Sequence, residues 1–240
     1  MSKSRHKSIT DGMGTGGWAF TPEVADGFDE HVRQSVPYYD LIQEAVTDAA
    51  GWVVPDEGEV VDFGASTGET LTRILARYPT RRLHVTAYDT SPAMRVACSR
   101  NVSRDQVLTL SMESDIRQQA HSSADLTLAL FTLQFLQPWE RRDVLTQAHE
   151  RSKPGAALLV AEKVRVADSR WAEVAHELSW DYKVAMGIQA DDVLAKARSL
   201  RGVLRPETAG HLEGHMLDAG WRNPTCLFRW HQWVLYGAWA

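Results

Sequence analysis

The chain has 240 residues, 44% hydrophobic and 24% charged, a composition that belongs to a folded domain and excludes a disordered segment. Lys and Arg number 26 against 31 Asp and Glu, and the net charge of −5 gives no broad attraction to nucleic-acid phosphates. No stretch reaches the ~18 apolar residues of a membrane span. The polar, Gly-rich segment 1–17 lacks the apolar core of a signal peptide, so a cytoplasmic protein with small-molecule partners, and neither nucleic-acid nor membrane partners, is expected. Cys98 and Cys226 form no framework and are expected to be buried, reduced and structural.

In chain order, residues 22–50 read as helix, interrupted at Val36-Pro37. Apolar, β-branched runs follow at Glu59–Gly64, Leu83–Asp89, Val107–Met112, Ala124–Phe131 and Ala156–Lys163. Their spacing of roughly 20–30 residues leaves room for one crossover helix each, which predicts five parallel strands. Thr67–Tyr78, Ser91–Asn101 and Pro138–Ser152 supply the helices, and Lys153-Pro154-Gly155 reads as a turn launching the fifth strand. Residues 168–219 are helical by pattern, a cap between strand five and the C-terminus. Two aromatic runs, Cys226–Trp230 and Trp233–Trp239, flank His231-Gln232 and predict an antiparallel hairpin closing the sheet edge. The expectation is one α/β domain over 1–240, with an N-terminal lid over 18–50, a mainly parallel Rossmann-like core sheet over 59–163, a helical cap over 168–219 and a hairpin over 226–239.

The strongest local signal is Val60-Val61-Asp62-Phe63-Gly64-Ala65-Ser66-Thr67-Gly68, a buried strand ending in small residues that open a helix. Small side chains let a ligand approach the backbone, and a helix N-terminus offers N–H groups there. Asp89 ends the next strand, where a carboxylate can accept hydrogen bonds from ribose hydroxyls. The string G-A-S-T-G differs from the G-x-G-x-x-G of dinucleotide sites, and it resembles motif I of class I S-adenosylmethionine (SAM)-dependent methyltransferases. Asp115-Ile116 resembles that family's adenine-binding step.

Further strings resemble the bacterial carboxy-SAM synthases: Trp18-Ala-Phe-Thr-Pro-Glu-Val-Ala, Gln34-Ser-Val-Pro-Tyr-Tyr39, Ser91-Pro-Ala-Met94, Phe131-Thr-Leu-Gln-Phe-Leu136, Glu162-Lys163 and Asp181-Tyr-Lys183. The resemblance covers about 18–236. It implies a class I methyltransferase fold, SAM as cofactor or substrate, a homodimer, and a SAM site lined by Tyr39, Gly64, Ala65, Ser66, Asp89, Thr90, Asp115 and Ile116. Those enzymes convert SAM and prephenate into carboxy-SAM. This chain departs from them at two positions. Leu130 stands where the family has Asn beside the cofactor, just before Phe131, and Ala197 stands where it has a carboxylate-binding Arg, with Arg198 one residue later.

An alkyl group for an amide and no guanidinium predict a drier, aromatic-lined pocket. There the SAM amine is expected to attack its own γ-carbon, giving azetidine-2-carboxylate and methylthioadenosine. Trp171 or Trp180 would face the sulfonium, and Asp181 or Tyr182 would take or orient the amine proton, so that Trp180, Asp181 and Tyr182 are the catalytic candidates. Methyl transfer to a small molecule, carboxy-SAM synthesis and an inactive SAM-binding subunit are the alternatives. His211 and His215 lie one helical turn apart without a third ligand, so no metal is expected. Arg81-Arg82 and Arg141-Arg142 read as solvated faces.

Overall fold

In a computed structural model, residues 22–102 and 104–240 are described; the Trp18 string that begins the expected lid falls outside them as far as residue 21. Three helices come first, α1 (Pro22–Asp26), α2 (Phe28–Ser35) and α3 (Tyr39–Val53). The break expected at Val36-Pro37 is there, with Tyr38 in the left-handed region at φ 58°, and Gly27 adds a second.

The sheet has seven strands: β1 (Gly58–Phe63), β2 (Leu83–Tyr88), β3 (Val107–Glu113), β4 (Ala124–Leu130), β5 (Ser152–Lys163), β6 (Arg222–Trp230) and β7 (Trp233–Trp239). Their order is β3-β2-β1-β4-β5-β7-β6; β1 to β5 pair in parallel, and the hairpin β6–β7 adds to β5 antiparallel. The crossovers are α4 (Glu69–Arg77), α5 (Pro92–Val102) and α6 (Pro138–Glu150), and α7 (Ser169–Ala185), α8 (Ala190–Ser199) and α9 (Ala209–Asp218) fill the stretch before the hairpin. This is the Rossmann-like, mainly parallel sheet closed by a hairpin that the residue pattern predicts. Lys153-Pro154-Gly155 is a correction: it lies inside β5, where Gly155 at φ 80° accompanies a register irregularity against β4.

Alternate residues of each strand point to opposite faces, and both faces are buried, as a parallel sheet requires. Val60, Val85, Leu126, Leu128 and Leu159 pack under Ile42, Val46, Leu71, Ile74 and Cys98 from α3, α4 and α5. On the other face Val61, Phe63, Leu158, Val160 and Val234 meet Leu145, Ala148, Leu212, Met216 and Trp221 from α6, α9 and the loop after it. Trp221 is fully buried and its indole N–H donates to Leu145 O at 3.0 Å.

Two expectations fail on burial. Cys226 is exposed because it lies on the edge strand β6, most of whose residues are exposed, whereas Cys98 is buried in the core. Arg141 is buried: its guanidinium donates to Glu207 Oε2 at 2.6 Å and to Leu136 O at 3.1 Å, and Glu207 also meets His215 Nε2 at 2.8 Å. The His211 and His215 pair is thus tied to a carboxylate that anchors α9 to α6. Arg81 donates to Val54 O at 2.8 Å and lies over the Tyr78 ring, while Arg82 and Arg142 are solvated beside Asp56, Glu57 and Asp143.

Candidate functional site

The strand order reverses between β1 and β4, and ligands of open α/β sheets bind beyond the carboxyl ends of the strands at such a point. A cavity of about 570 Å³ opens there, within the usual range of small-molecule sites. Tyr39, Gly64, Ala65, Ser66, Asp89, Thr90, Asp115, Ile116, Leu130 and Phe131 all line it.

One end is acidic. Gly64 leaves β1 at φ 76°, and a Cβ there would overlap Thr132 Oγ1, so the position demands glycine for conformation and for space. The loop is tied to β2: Gly64 and Ala65 N–H groups donate to Tyr88 O at 2.8 and 2.9 Å, and Ser66 N–H donates to Asp89 Oδ2 at 3.0 Å. Asp89 Oδ1 accepts from Ser91 N–H at 2.8 Å, which fixes its carboxylate at the cavity edge. Burial raises its pKa against the pull of those N–H groups and Arg95. Asp62 lies deeper, and burial together with Asp89 pushes it up to about 7. Asp115, at the end of the segment after β3, accepts from Arg117 Nη2 at 2.8 Å and is held below the ordinary carboxylate range by it.

The middle is aromatic. Phe131 follows β4 at φ 58°, and the turn after it is clamped by Glu162, whose oxygens accept from Leu133 N–H at 2.8 Å and Gln134 N–H at 3.0 Å. Thr132 Oγ1 donates to Phe63 O at 2.7 Å, which ties this turn to the Gly64 loop. Burial pushes the Glu162 carboxyl up to about 8 even so. Phe131 meets Tyr39 at 6.1 Å and Trp233 at 5.8 Å between ring centroids, and the Tyr39 hydroxyl accepts from Gln43 at 2.9 Å. Trp233 is the cavity's tryptophan. Trp171 is exposed, and Trp180 packs edge-on against His176 with a centroid distance of 4.7 Å; neither lines the cavity.

The other end is cationic. Lys163 from β5, Lys183 from α7, Lys196 from α8 and His31 from α2 line it, with Arg205 nearby in the wall. Lys163 Nζ stands 5.8 Å from the Trp233 ring centroid. Lys196 Nζ contacts His31 Nε2 and donates to Ser35 Oγ at 3.3 Å. Burial lowers all three amines; with mutual repulsion it brings Lys183 down to about 8 and Lys196 to about 7, and it takes His31 to about 3. Among the described residues no carboxylate pairs with Lys163 or Lys183.

This end corrects the sequence reading. Asp181 is exposed, Trp180 faces His176, and the Tyr182 hydroxyl donates to Arg33 O at 3.2 Å, so none of the three catalytic candidates reaches the cavity. Their neighbour Lys183 does, because about 100° of helical rotation per residue turns it to the inner face. On α8 likewise, Lys196 lines the cavity while Ala197 and Arg198 do not. The signal was present in Glu162-Lys163 and Asp181-Tyr-Lys183, strings whose lysines look like ordinary solvated groups until the fold buries them together. Among the described residues no group of three or more His, Cys, Asp or Glu is placed to hold a metal ion.

A family model described as a methyltransferase domain matches residues 61–158. The carboxy-S-adenosyl-L-methionine synthase of Staphylococcus epidermidis is 27% identical over 218 residues, covering 90% of this chain and 94% of that protein. Its counterpart in Shigella sonnei is 29% identical over 216 residues, covering 89% and 87%. Among solved structures, human N-acetylserotonin methyltransferase in complex with SAM superposes with a TM-score of 0.61 at 18% identity, over 91% of this chain and 56% of that one. An O-methyltransferase family protein from Burkholderia thailandensis gives 0.58 at 21% identity, over 90% and 59%. The chain thus spans little more than half the length of these two structures, which share its fold.

Fold and site together define a SAM-dependent enzyme of methyltransferase fold. The chain has the class I methyltransferase fold, carries a methyltransferase-domain match over residues 61–158, and is similar along most of its length to the carboxy-SAM synthases.

Proposed function

We propose that this enzyme uses SAM together with an anionic small molecule, in the manner of its carboxy-SAM synthase relatives. The observation that carries the reading is the cationic end of the cavity, where Lys163 and Lys183 are half-buried and desolvated with no carboxylate pairing with them among the described residues. Buried ammonium groups without counter-ions are unfavourable, and a ligand that brings carboxylates relieves them. SAM carries one carboxylate of its own, and a wall of three lysines and a histidine favours a second acid beside it.

In this reading Asp89 accepts from the ribose hydroxyls, Asp115 and Ile116 border the adenine, and Gly64 and Ala65 let the SAM backbone lie against the loop. Bound there, SAM supplies a sulfonium that makes its attached carbons electrophilic. Tyr39, Phe131 and Trp233 form the wall between the ends, where ring faces stabilise positive charge. Leu130 replaces an amide contact, and the lysines take over the anion-holding work of the absent guanidinium.

Cyclisation of SAM to azetidine-2-carboxylate, expected from a dry, aromatic-lined pocket, keeps the support of Leu130, Tyr39, Phe131 and Trp233 in the lining, while Trp171 and Trp180 do not line the cavity and its four basic side chains favour a second acid. Mass spectrometry of products after incubation with SAM alone, and with SAM plus prephenate, tests the proposal against a no-enzyme control. Carboxy-SAM formed only when both are present is the expected result. Enzyme-dependent methylthioadenosine from SAM alone would establish cyclisation instead. S-adenosylhomocysteine formed only with another acceptor would point to methyl transfer, and SAM binding without any product to an inactive subunit.

A further inference from the structure

Lys163, Lys183 and Lys196 all line one end of the cavity, where desolvation opposes the charge on each and neighbouring ammonium groups further oppose it on Lys183 and Lys196. Their surroundings differ. The Lys163 ammonium lies 5.8 Å from the centroid of the Trp233 ring, whose face favours a cation. Lys196 is held by His31 and Ser35. Lys183 lines the same cavity, is half-buried, and its side-chain amine makes neither a hydrogen bond nor an ion pair among the described residues. A desolvated lysine beside another cation is how proteins make an amine nucleophilic.

We propose that Lys183 is an imine-forming residue that captures the carbonyl carbon of a 2-oxo acid, with the Lys163 ammonium holding that acid's carboxylate. The neutral Lys183 amine adds to the keto carbon, and a proton passes from nitrogen to the carbonyl oxygen to give a carbinolamine. Loss of one water then leaves the imine, and the step consumes no oxidant or reductant. His31 and Lys196, which contact each other and line the same cavity, are the proton relay for that dehydration. Other titratable and charged groups near the amines are His176 on α7, itself lowered by burial and by Lys163 and Lys183, its neighbour Glu177, and Arg205 in the cavity wall. The inference rests on the cationic end taking a carboxylate, but not on what becomes of SAM.

The test is reductive trapping of the full chain with pyruvate and borohydride at about pH 8, without SAM, followed by peptide mapping. One reduced pyruvyl adduct, on Lys183, is expected in the wild type. It should vanish in Lys183→Arg, which keeps the charge but cannot form the imine. In Lys163→Met the yield should fall at least ~10-fold with pyruvate and much less with acetone, which has no carboxylate. Thermal unfolding of each variant separates this loss from misfolding, and the wild-type map needs no variant at all. Three outcomes would overturn the proposal: no adduct; an adduct on Lys163 or Lys196 in place of Lys183; or equal labelling of Lys153, which sits at the surface against Asp125. Because SAM is absent, a failed trapping leaves the transfer reading standing, and a failed transfer assay leaves the trapping result unchanged.

Discussion

The two ends of the cavity are built in opposite ways. At the acidic end each residue follows a neighbouring parallel strand: Asp62 and Gly64 at the end of β1, Asp89 after β2, Asp115 after β3. Adjacent strands in register bring those tips together however the rest of the chain is arranged. The cationic end is gathered from α2, β5, α7 and α8, which meet only in three dimensions. One end follows from the sheet itself; the other depends on how the cap and the N-terminal helices pack over it.

That difference can be broken at the sheet end first, where the largest effect is expected. Gly64→Val forces a Cβ into Thr132 and a branched residue into the left-handed region. SAM affinity measured by calorimetry should fall by about 100-fold or more, with Glu162 and the turn after β4 disturbed in turn. Asp89→Ala comes next. It removes hydrogen bonds to a charged acceptor worth about 1.5–3 kcal/mol, so SAM should bind roughly 10–100-fold more weakly. Retained affinity in Asp89→Ala would place the ribose elsewhere.

At the cap end, Lys196→Met sharpens the comparison through stability. Lys196 falls to about 7 in the folded chain from 10.5, so between those values the unfolded state binds the extra proton and the ligand-free protein gains stability as pH rises. The buried-charge penalty is fully present below about pH 7 and is gone above about 10.5. The variant should therefore unfold at a higher temperature near pH 7, by about 2–4 °C per kcal/mol relieved, and lose that part of the pH dependence. An unchanged pH profile would mean that the amine is solvated. The smallest effect belongs to Leu130→Asn, which adds an amide to the cavity wall and should change SAM affinity by less than about tenfold, one hydrogen bond's worth.

The same contrast explains what could be read from the residues alone. The five parallel strands and the hairpin at 226–239 follow from β-branched and aromatic runs, and Gly64 and Asp89 from groups placed at strand ends, information that is local in the chain; Tyr39 and the rest of the SAM-side lining were expected from the family resemblance. The catalytic candidates Trp180, Asp181 and Tyr182 lie three, two and one residues before Lys183, and Arg198 lies two after Lys196. Periodicity marks α7 and α8 as helices, but the phase that turns a given residue inward is set by packing against α2 and β5. Arg141 was misread for a related reason: its burial comes from Glu207, 66 residues away. Cys226 was misread because most residues of the edge strand β6 are exposed.

In the proposed reading the SAM end and the anion end of one cavity act on two ligands together. Titration of prephenate into protein saturated with S-adenosylhomocysteine tests it most directly, in the wild type and in Lys163→Met. The account predicts saturable binding that weakens about tenfold or more when the Lys163 charge is removed, with S-adenosylhomocysteine still bound. No binding of the acid, or binding indifferent to Lys163, would contradict it.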